Sequence, residues 1–212
     1  VSGKVKIEEL QDIDIEDILG RDPVVPDKEL LLVHNHNKNV LVTGAGGSIG
    51  SELTRQLLAL KPKVLILLDV SEFALYEITQ ELGKLKAALS LETKLVQVVG
   101  SVQNKNLLNS VFKEYKVQTV YHAAAYKHVP IVENNIGQGF LNNVIGTRNV
   151  AMAAEQFDAE KFILISTDKA VRPTNFMGAS KRMAELVLQG MVNANPDFKC
   201  GIVRFGNVLG SS

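Results

Sequence analysis

Cysteine is nearly absent from this chain. Cys200 stands alone, which excludes an intrachain disulfide and a cysteine-built metal site. Cys200 lies in an apolar run, where a buried core thiol in a reduced, cytosolic setting is expected. Charge of one sign is also missing. Lys+Arg and Asp+Glu both number 23, so the formal net charge is zero and no overall field draws the chain toward nucleic acid. No apolar run reaches the roughly 18 residues of a membrane span, and no secretory signal pattern is present. Internal repeats and low-complexity segments are lacking too. His122 and His128 have no third partner at a metal-ligand spacing, so no metal is expected. Hydrophobic residues make up 46% of the 212, enough for one sizeable core.

Residues 1–38 read as an arm or linker. Glu8, Glu9, Asp12, Asp14, Glu16 and Asp17 interleave with Ile7, Leu10, Ile13, Ile15, Ile18 and Leu19, before Gly20, Pro23 and Pro26 break the pattern. From residue 39 to 212 short apolar runs alternate with helical spacing. Strands are expected at Val40–Val42, Val64–Leu68, Leu95–Val99, Thr119–Ala123, Phe162–Ile165 and Gly201–Phe205. Helices are expected at Ser51–Leu60, Glu72–Ala88, Lys105–Tyr115, Asn134–Phe157 and Ala179–Asn193. Continuous apolar strands separated by helices imply crossover units and a sheet buried on both faces. The fold class is therefore α/β, a doubly wound parallel sheet of the Rossmann type. The chain opens without Met and stops at Gly210-Ser211-Ser212, just after a strand. Both ends read as cuts, and a truncated C-terminal lobe is expected.

Thr43-Gly44-Ala45-Gly46-Gly47-Ser48-Ile49-Gly50 follows the first strand and opens a helix. Gly44, Gly47 and Gly50 give a tight turn, a close backbone approach to a pyrophosphate, and close helix–strand packing, in that order. Ser48 and Ile49 bring the helix N-terminus, with its amides and positive dipole end, to the anion. Asp69 ends the second strand about 20 residues on, where a carboxylate holds ribose hydroxyls and repels a 2′-phosphate. No Arg or Lys lies between Asp69 and Tyr76. The expected cofactor is NAD, not NADP. The Lys-Ser/Thr pair of a Walker loop is missing. Ser101 and Val102, after the third strand, are placed beside the adenine. Ala123, Ala124 and Ala125, after the fourth, let a cofactor lie against the backbone.

The fifth strand runs into Ser166-Thr167-Asp168-Lys169, followed by Met177-Gly178-Ala179-Ser180-Lys181. With the glycine loop, Tyr126-Lys127-His128-Val129-Pro130 and Arg204-Phe205-Gly206-Asn207-Val208-Leu209-Gly210, this stretch resembles the bacterial polysaccharide biosynthesis proteins. These are nucleotide-sugar 4,6-dehydratases of the extended short-chain dehydrogenase/reductase superfamily, acting chiefly on UDP-N-acetylglucosamine. The likeness runs over nearly the whole chain, including Ile18-Leu19-Gly20-Arg21-Asp22-Pro23-Val24 in the arm. It implies hydride transfer from sugar C4 to NAD⁺, loss of water across C5 and C6, and hydride return to C6. It further implies that Thr167 bonds the C4 oxygen, Asp168 protonates the departing hydroxyl and Lys169 takes the C5 proton. Lys127, His128 and Asn207 are implied substrate contacts. For these roles Lys169 must lose a proton and Asp168 must keep one, and both need burial.

The superfamily usually carries Tyr-x-x-x-Lys, with tyrosine as the acid/base at C4. Here Met177 holds that position, and a thioether donates no proton. The spacing still puts residue 177 and Lys181 on one helix face, so Lys181 can reach the nicotinamide ribose. The membrane-anchored branch of the family is similar in having Met there. That leaves Asp168, Lys169 or a water as the C4 proton acceptor. The branch also implies a parent protein held at the bacterial inner membrane, with these residues in the cytoplasm and not themselves touching lipid. A homo-oligomer built on the helices at 134–157 and 179–193 is expected. A C4 epimerase, a C5-inverting dehydratase and a non-catalytic NAD-binding domain are the competing functions. Met177 weighs against a simple epimerase, and the intact Thr-Asp-Lys run against a non-catalytic role.

Overall fold

Apolar runs become strands wherever both faces can be covered. The structure, a computed structural model, describes residues 25–208. The acidic and apolar interleaving expected before Val25, and Leu209-Gly210, lie outside these residues. Six strands form one sheet: β1 (Asn39–Thr43), β2 (Val64–Asp69), β3 (Lys94–Val99), β4 (Thr119–His122), β5 (Lys161–Thr167) and β6 (Cys200–Phe205). Their order is β3-β2-β1-β4-β5-β6, and every neighbouring pair is parallel. The order reverses between β1 and β4, so a crevice opens above their carboxyl ends, the place where such sheets bind ligands.

The helices are α1 (Lys28–Val33), α2 (Ser48–Ala59), α3 (Glu72–Ala88), α4 (Lys105–Tyr115), α5 (Val129–Asn134), α6 (Ile136–Phe140), α7 (Thr147–Gln156) and α8 (Phe176–Ala194). Successive strand residues point to opposite faces. Leu41, Ile66, Val120, Phe162 and Leu164 pack with Phe112 of α4, Val150 of α7 and Leu188 of α8. Val40, Val42, Leu65 and Leu67 face the other way, onto Leu57 and Leu58 of α2 and Leu75 and Leu82 of α3. Phe162 and Tyr121 are core residues, and Tyr115 packs at the core's margin. Cys200 differs from expectation. It is only partly buried, because it opens β6, the edge strand.

Three helices depart from their expected bounds, the first being α2, which starts at Ser48 instead of Ser51. Asn175 accepts a hydrogen bond from the Gly178 amide, and this cap starts α8 at Phe176 instead of Ala179. The single helix expected from 134 to 157 is broken. Asn135 leaves the helical region (φ −137°, ψ 49°) between α5 and α6. Leu141–Gly146 then form a wider π-helical turn before α7. That turn brings Asn142 and Asn143 into the interior, where both are buried.

The segment before β1 is fastened to the start of the sheet. Thr119 donates its hydroxyl hydrogen bond to the His34 carbonyl at 2.6 Å. The buried Asn35 side chain bonds the Tyr121 hydroxyl at 3.0 Å.

Candidate active site

The loop from β1 to α2 is shaped by glycines that admit no side chain. Gly44 has φ +67°, and a Cβ there would lie 2.6 Å from the Ala124 amide nitrogen. A Cβ on Gly50 would sit 1.9 Å from the Gly44 carbonyl oxygen. Such contacts hold the loop flat against the Ala123–Ala125 backbone. Gly47 gives α2 no side-chain cap, so the helix N-terminus faces the crevice through its backbone. Asp69 closes the loop's outer side. Its Oδ2 accepts from the Gly46 amide at 2.9 Å and its Oδ1 from the Ser71 amide at 3.0 Å. Gly44, Gly46, Gly47, Asp69, Val102, Ala123, Ala124, Ala125 and Asn142 line a crevice of about 290 Å³. Val102 is buried there. Ser101 stands back from the wall and accepts from the Gln103 amide at 3.1 Å. The cradle fits a dinucleotide: glycine-shaped at the pyrophosphate, acidic at the ribose and apolar toward the adenine.

Beneath the loop lies a buried polar chain. His122, fully buried at the end of β4, meets Thr43 Oγ1 at 2.6 Å through Nδ1 and Thr147 Oγ1 at 2.9 Å through Nε2. Thr147 spends its own hydrogen on the Asn143 carbonyl, at 2.7 Å. It must therefore accept from His122, which fixes the Nε2–H tautomer and leaves Nδ1 to accept from Thr43. Burial, with repulsion from Lys181, pushes the His122 pKa down to about 3. This imidazole is a neutral strut between β1, β4 and α7.

The second part of the site is a cleft of about 460 Å³ that continues from the first. Gly44, Gly47, Ser48, Ile49 and Gly50 form one wall. Ala123, Ala125, Lys127 and His128 form another. Thr167, Lys169, Met177, Lys181 and Asn207 face them. The structure thus brings most of the expected residues to one opening. Lys181 is buried and donates from Nζ to the Ile165 carbonyl at 2.7 Å. Burial lowers its pKa to about 8, against the opposing pull of Glu185. Met177, one turn earlier on α8, is 4% exposed and fills the wall with its thioether. A Cβ on Gly178 would lie 2.3 Å from the Lys169 carbonyl oxygen, so α8 starts directly against the turn Asp168–Ala170.

Asp168 and Lys169 depart from expectation. Their side chains are 57% and 40% exposed, with Lys169 Nζ 3.6 Å from Asp168 Oδ1. Neither is buried as its expected role requires, and Asp168 is not on the cleft wall. Thr167 Oγ1 donates to Asp168 Oδ1 at 3.0 Å. That bond, followed by the charge of Lys169, holds the Asp168 carboxyl below its usual range. Asp168 is thus a carboxylate here, and the physical reason is exposure to water plus a local donor. Lys169 Nζ also donates to Asn207 Oδ1 at 3.2 Å.

Asn143 and Asn142 were not singled out from sequence, and Tyr126 entered only as part of the Tyr126–Pro130 stretch, with no role. The Asn143 side chain accepts from the Tyr126 amide at 2.8 Å and donates to the Tyr126 carbonyl at 3.0 Å. It also donates to Ser180 Oγ at 3.0 Å. Tyr126 lines both parts of the site, and Asn142 the first. The available signal was a polar Asn-Asn pair inside an otherwise apolar helical run. Among the described residues no cluster of His, Cys, Asp and Glu could hold a metal ion. No described helix is long and apolar enough to cross a membrane.

Comparison with known proteins adds to this geometry. The family model described as polysaccharide biosynthesis protein matches residues 40–212. The capsular polysaccharide biosynthesis protein CapD of Staphylococcus aureus is 47% identical over 211 residues, covering 100% of this chain and 35% of that protein. A UDP-N-acetylglucosamine 4,6-dehydratase (inverting) of Campylobacter jejuni is 34% identical over 179 residues, or 83% of this chain and 51% of that protein. Among solved structures, the UDP-Glc/GlcNAc 4-epimerase of Campylobacter jejuni aligns with TM-score 0.73 and 26% identity, over 82% of this chain and 55% of that one. The dTDP-glucose 4,6-dehydratase DesIV of Streptomyces venezuelae, with NAD and TYD bound, aligns with TM-score 0.67 and 25% identity, over 78% of this chain and 55% of that one. The chain therefore spans between 35% and 51% of the length of these two curated relatives.

Proposed function

Because the chain belongs to the polysaccharide biosynthesis protein family, whose structural neighbours bind NAD, we propose that it is the cofactor-binding part of a nucleotide-sugar 4,6-dehydratase. The substrate we assign is UDP-N-acetylglucosamine. The observation that carries the reading is Thr167 and Lys169 on the cleft wall at the mouth of β5, facing Lys127 and His128, with Asp168 bonded to Thr167 beside them and methionine where an epimerase needs its phenol.

Bound NAD⁺ supplies a hydride acceptor that later returns the hydride. The glycine loop and Asp69 would hold the dinucleotide, and Lys181 would contact its nicotinamide ribose. Met177 carries no proton, so the C4 hydroxyl must lose its own elsewhere. Thr167 and Asp168 offer the route. The C4 hydroxyl gives its proton to Thr167 Oγ1 as Thr167 passes its own to the ionised Asp168. Asp168, now protonated, gives that proton to the departing C6 hydroxyl, which leaves as water. Lys169, having first given up its own proton to water, removes the C5 proton and, after exchange with solvent, returns one to C5. An Asp168 ionised at rest thus serves as an acid without a raised pKa, and the proton count closes. Lys127, His128 and Asn207 hold the sugar nucleotide over these groups.

The test uses the full-length protein with UDP-N-acetylglucosamine and NAD⁺ in D₂O, followed by proton NMR. A new C6 methyl signal with deuterium at C5 is expected. Appearance of the C4 epimer would replace the dehydratase by an epimerase. No change with NAD⁺ bound would remove this substrate. Asp168→Asn is expected to block both proton steps and cut kcat by at least about 100-fold.

A further inference from the structure

We propose that Glu185 is a positioning residue for the sugar-handling half of the cleft, holding the ends of β5 and β6, and with them Lys169 and Asn207, in one register. The inference rests on the dehydratase reading of that half. Glu185 lies on α8, one turn beyond Lys181, and its side chain is fully buried. Ser166 Oγ donates to Oε1 at 2.7 Å, from β5. Arg204 donates from Nε to Oε1 at 2.9 Å and from Nη2 to Oε2 at 2.7 Å, from β6. Arg182 Nη1 adds a bond to Oε2 at 2.9 Å.

The placement along the strands gives these bonds their meaning. Ser166 and Arg204 are direct partners in the β5–β6 ladder, one rung before its last pair. Three residues beyond Ser166 is Lys169, and three beyond Arg204 is Asn207. Lys169 Nζ and Asn207 Oδ1 meet again at 3.2 Å. The contacts therefore close a ring: Glu185 to Ser166, along the chain to Lys169, across to Asn207, back to Arg204 and to Glu185. Strand β6 is at the sheet edge and has no partner on its far side among the described residues. A two-pronged guanidinium–carboxylate pair fixes direction as well as distance.

Stability alone does not account for a buried carboxylate at this point. Apolar replacement of a buried ion pair is often neutral or favourable, because taking charge out of water is costly. Here burial opposes ionisation, yet the bonds from Arg204, Ser166 and Arg182 outweigh it and bring the carboxyl to about 2. The charge is thus permanent at working pH, and what it gives the site is a fixed geometry.

The experiment takes the full-length protein and the variants Glu185→Gln, Arg204→Lys and Ser166→Ala. Hydrogen exchange is read by mass spectrometry on peptides from all six strands. Glu185→Gln is expected to speed exchange about tenfold or more at 166–170 and 204–208, with β1, β2 and β4 unchanged. Arg204→Lys keeps the charge, loses the fork and should behave alike. Ser166→Ala should loosen 166–170 alone. In turnover, Glu185→Gln is expected to lower kcat about tenfold while Kd for NAD⁺ stays within about twofold. Unchanged exchange, or faster exchange spread over every strand, would overturn the proposal, as would wild-type behaviour of Arg204→Lys. Should Glu185→Gln fail to fold, the two remaining variants decide the matter. Local loosening without any dehydratase turnover by the wild type would sink the functional reading instead.

Discussion

At Gly50 a single added methyl group would land 1.9 Å from the Gly44 carbonyl oxygen, so loop and helix cannot both stay where they are. Gly50→Ala is expected to cost about 1–3 kcal/mol of stability and to weaken NAD⁺ binding at least about tenfold, checked by calorimetric titration. Undiminished affinity would mean that the loop does not carry the pyrophosphate. His122 makes a different prediction. Its pKa in the fold, about 3, lies below the ordinary 6.5, so the unfolded chain binds the extra proton between those values. Its contribution is present above 6.5 and lost as pH falls toward 3, with a slope of up to about 1.4 kcal/mol per pH unit. Glu185 acts alike in a lower window, between 4.5 and about 2. Melting temperature against pH should therefore fall below 6.5, and His122→Asn should flatten the upper part of that fall. A profile unchanged by the substitution would remove the strut. The glycine loop and Asp69 could be placed at the crevice from residue type and spacing, whereas Thr167 and Lys181 were reached through the family resemblance. Asn143 and Glu185 were reached by neither route. On a helix a polar residue is read as solvent-facing, and only packing shows that these two point inward.

At the scale of elements, alternation of apolar runs and helical spacing was enough to place all six strands within a few residues. It could not foresee the break at Asn135 or the π-helical turn at Leu141–Gly146. The turn carries side-chain bonds to groups far along the chain: Asn143 to the Tyr126 backbone, and Thr147 to the His122 ring. Asn143→Leu keeps the volume and removes those bonds. It should leave the Tyr126 amide and carbonyl unpaired, at a cost of about 1–3 kcal/mol in urea unfolding. A stability change under about 0.5 kcal/mol would show that the turn is set by its own backbone.

For the whole molecule, the doubly wound topology followed from the order of elements, while its assembly did not. Met152 on α7 and Met183 and Leu186 on α8 are 41%, 46% and 49% exposed. These are the helices on which a homo-oligomer was expected, and they leave apolar side chains for a second copy to cover. Light scattering should find an oligomer in the native protein, with Leu186→Glu shifting it to monomer and leaving NAD⁺ affinity in place. A native monomer would refute this. The fastening of His34 and Asn35 to Thr119 and Tyr121 bears on such an assembly from the opposite pole. The chain comes in at the floor of the sheet, where the strands begin, whereas the crevice opens at the roof, where they end. His34 and Asn35 are thus held away from the doorway. None of residues 25–38 lines the crevice or the cleft, so a hold at the floor leaves the mouth at the roof open.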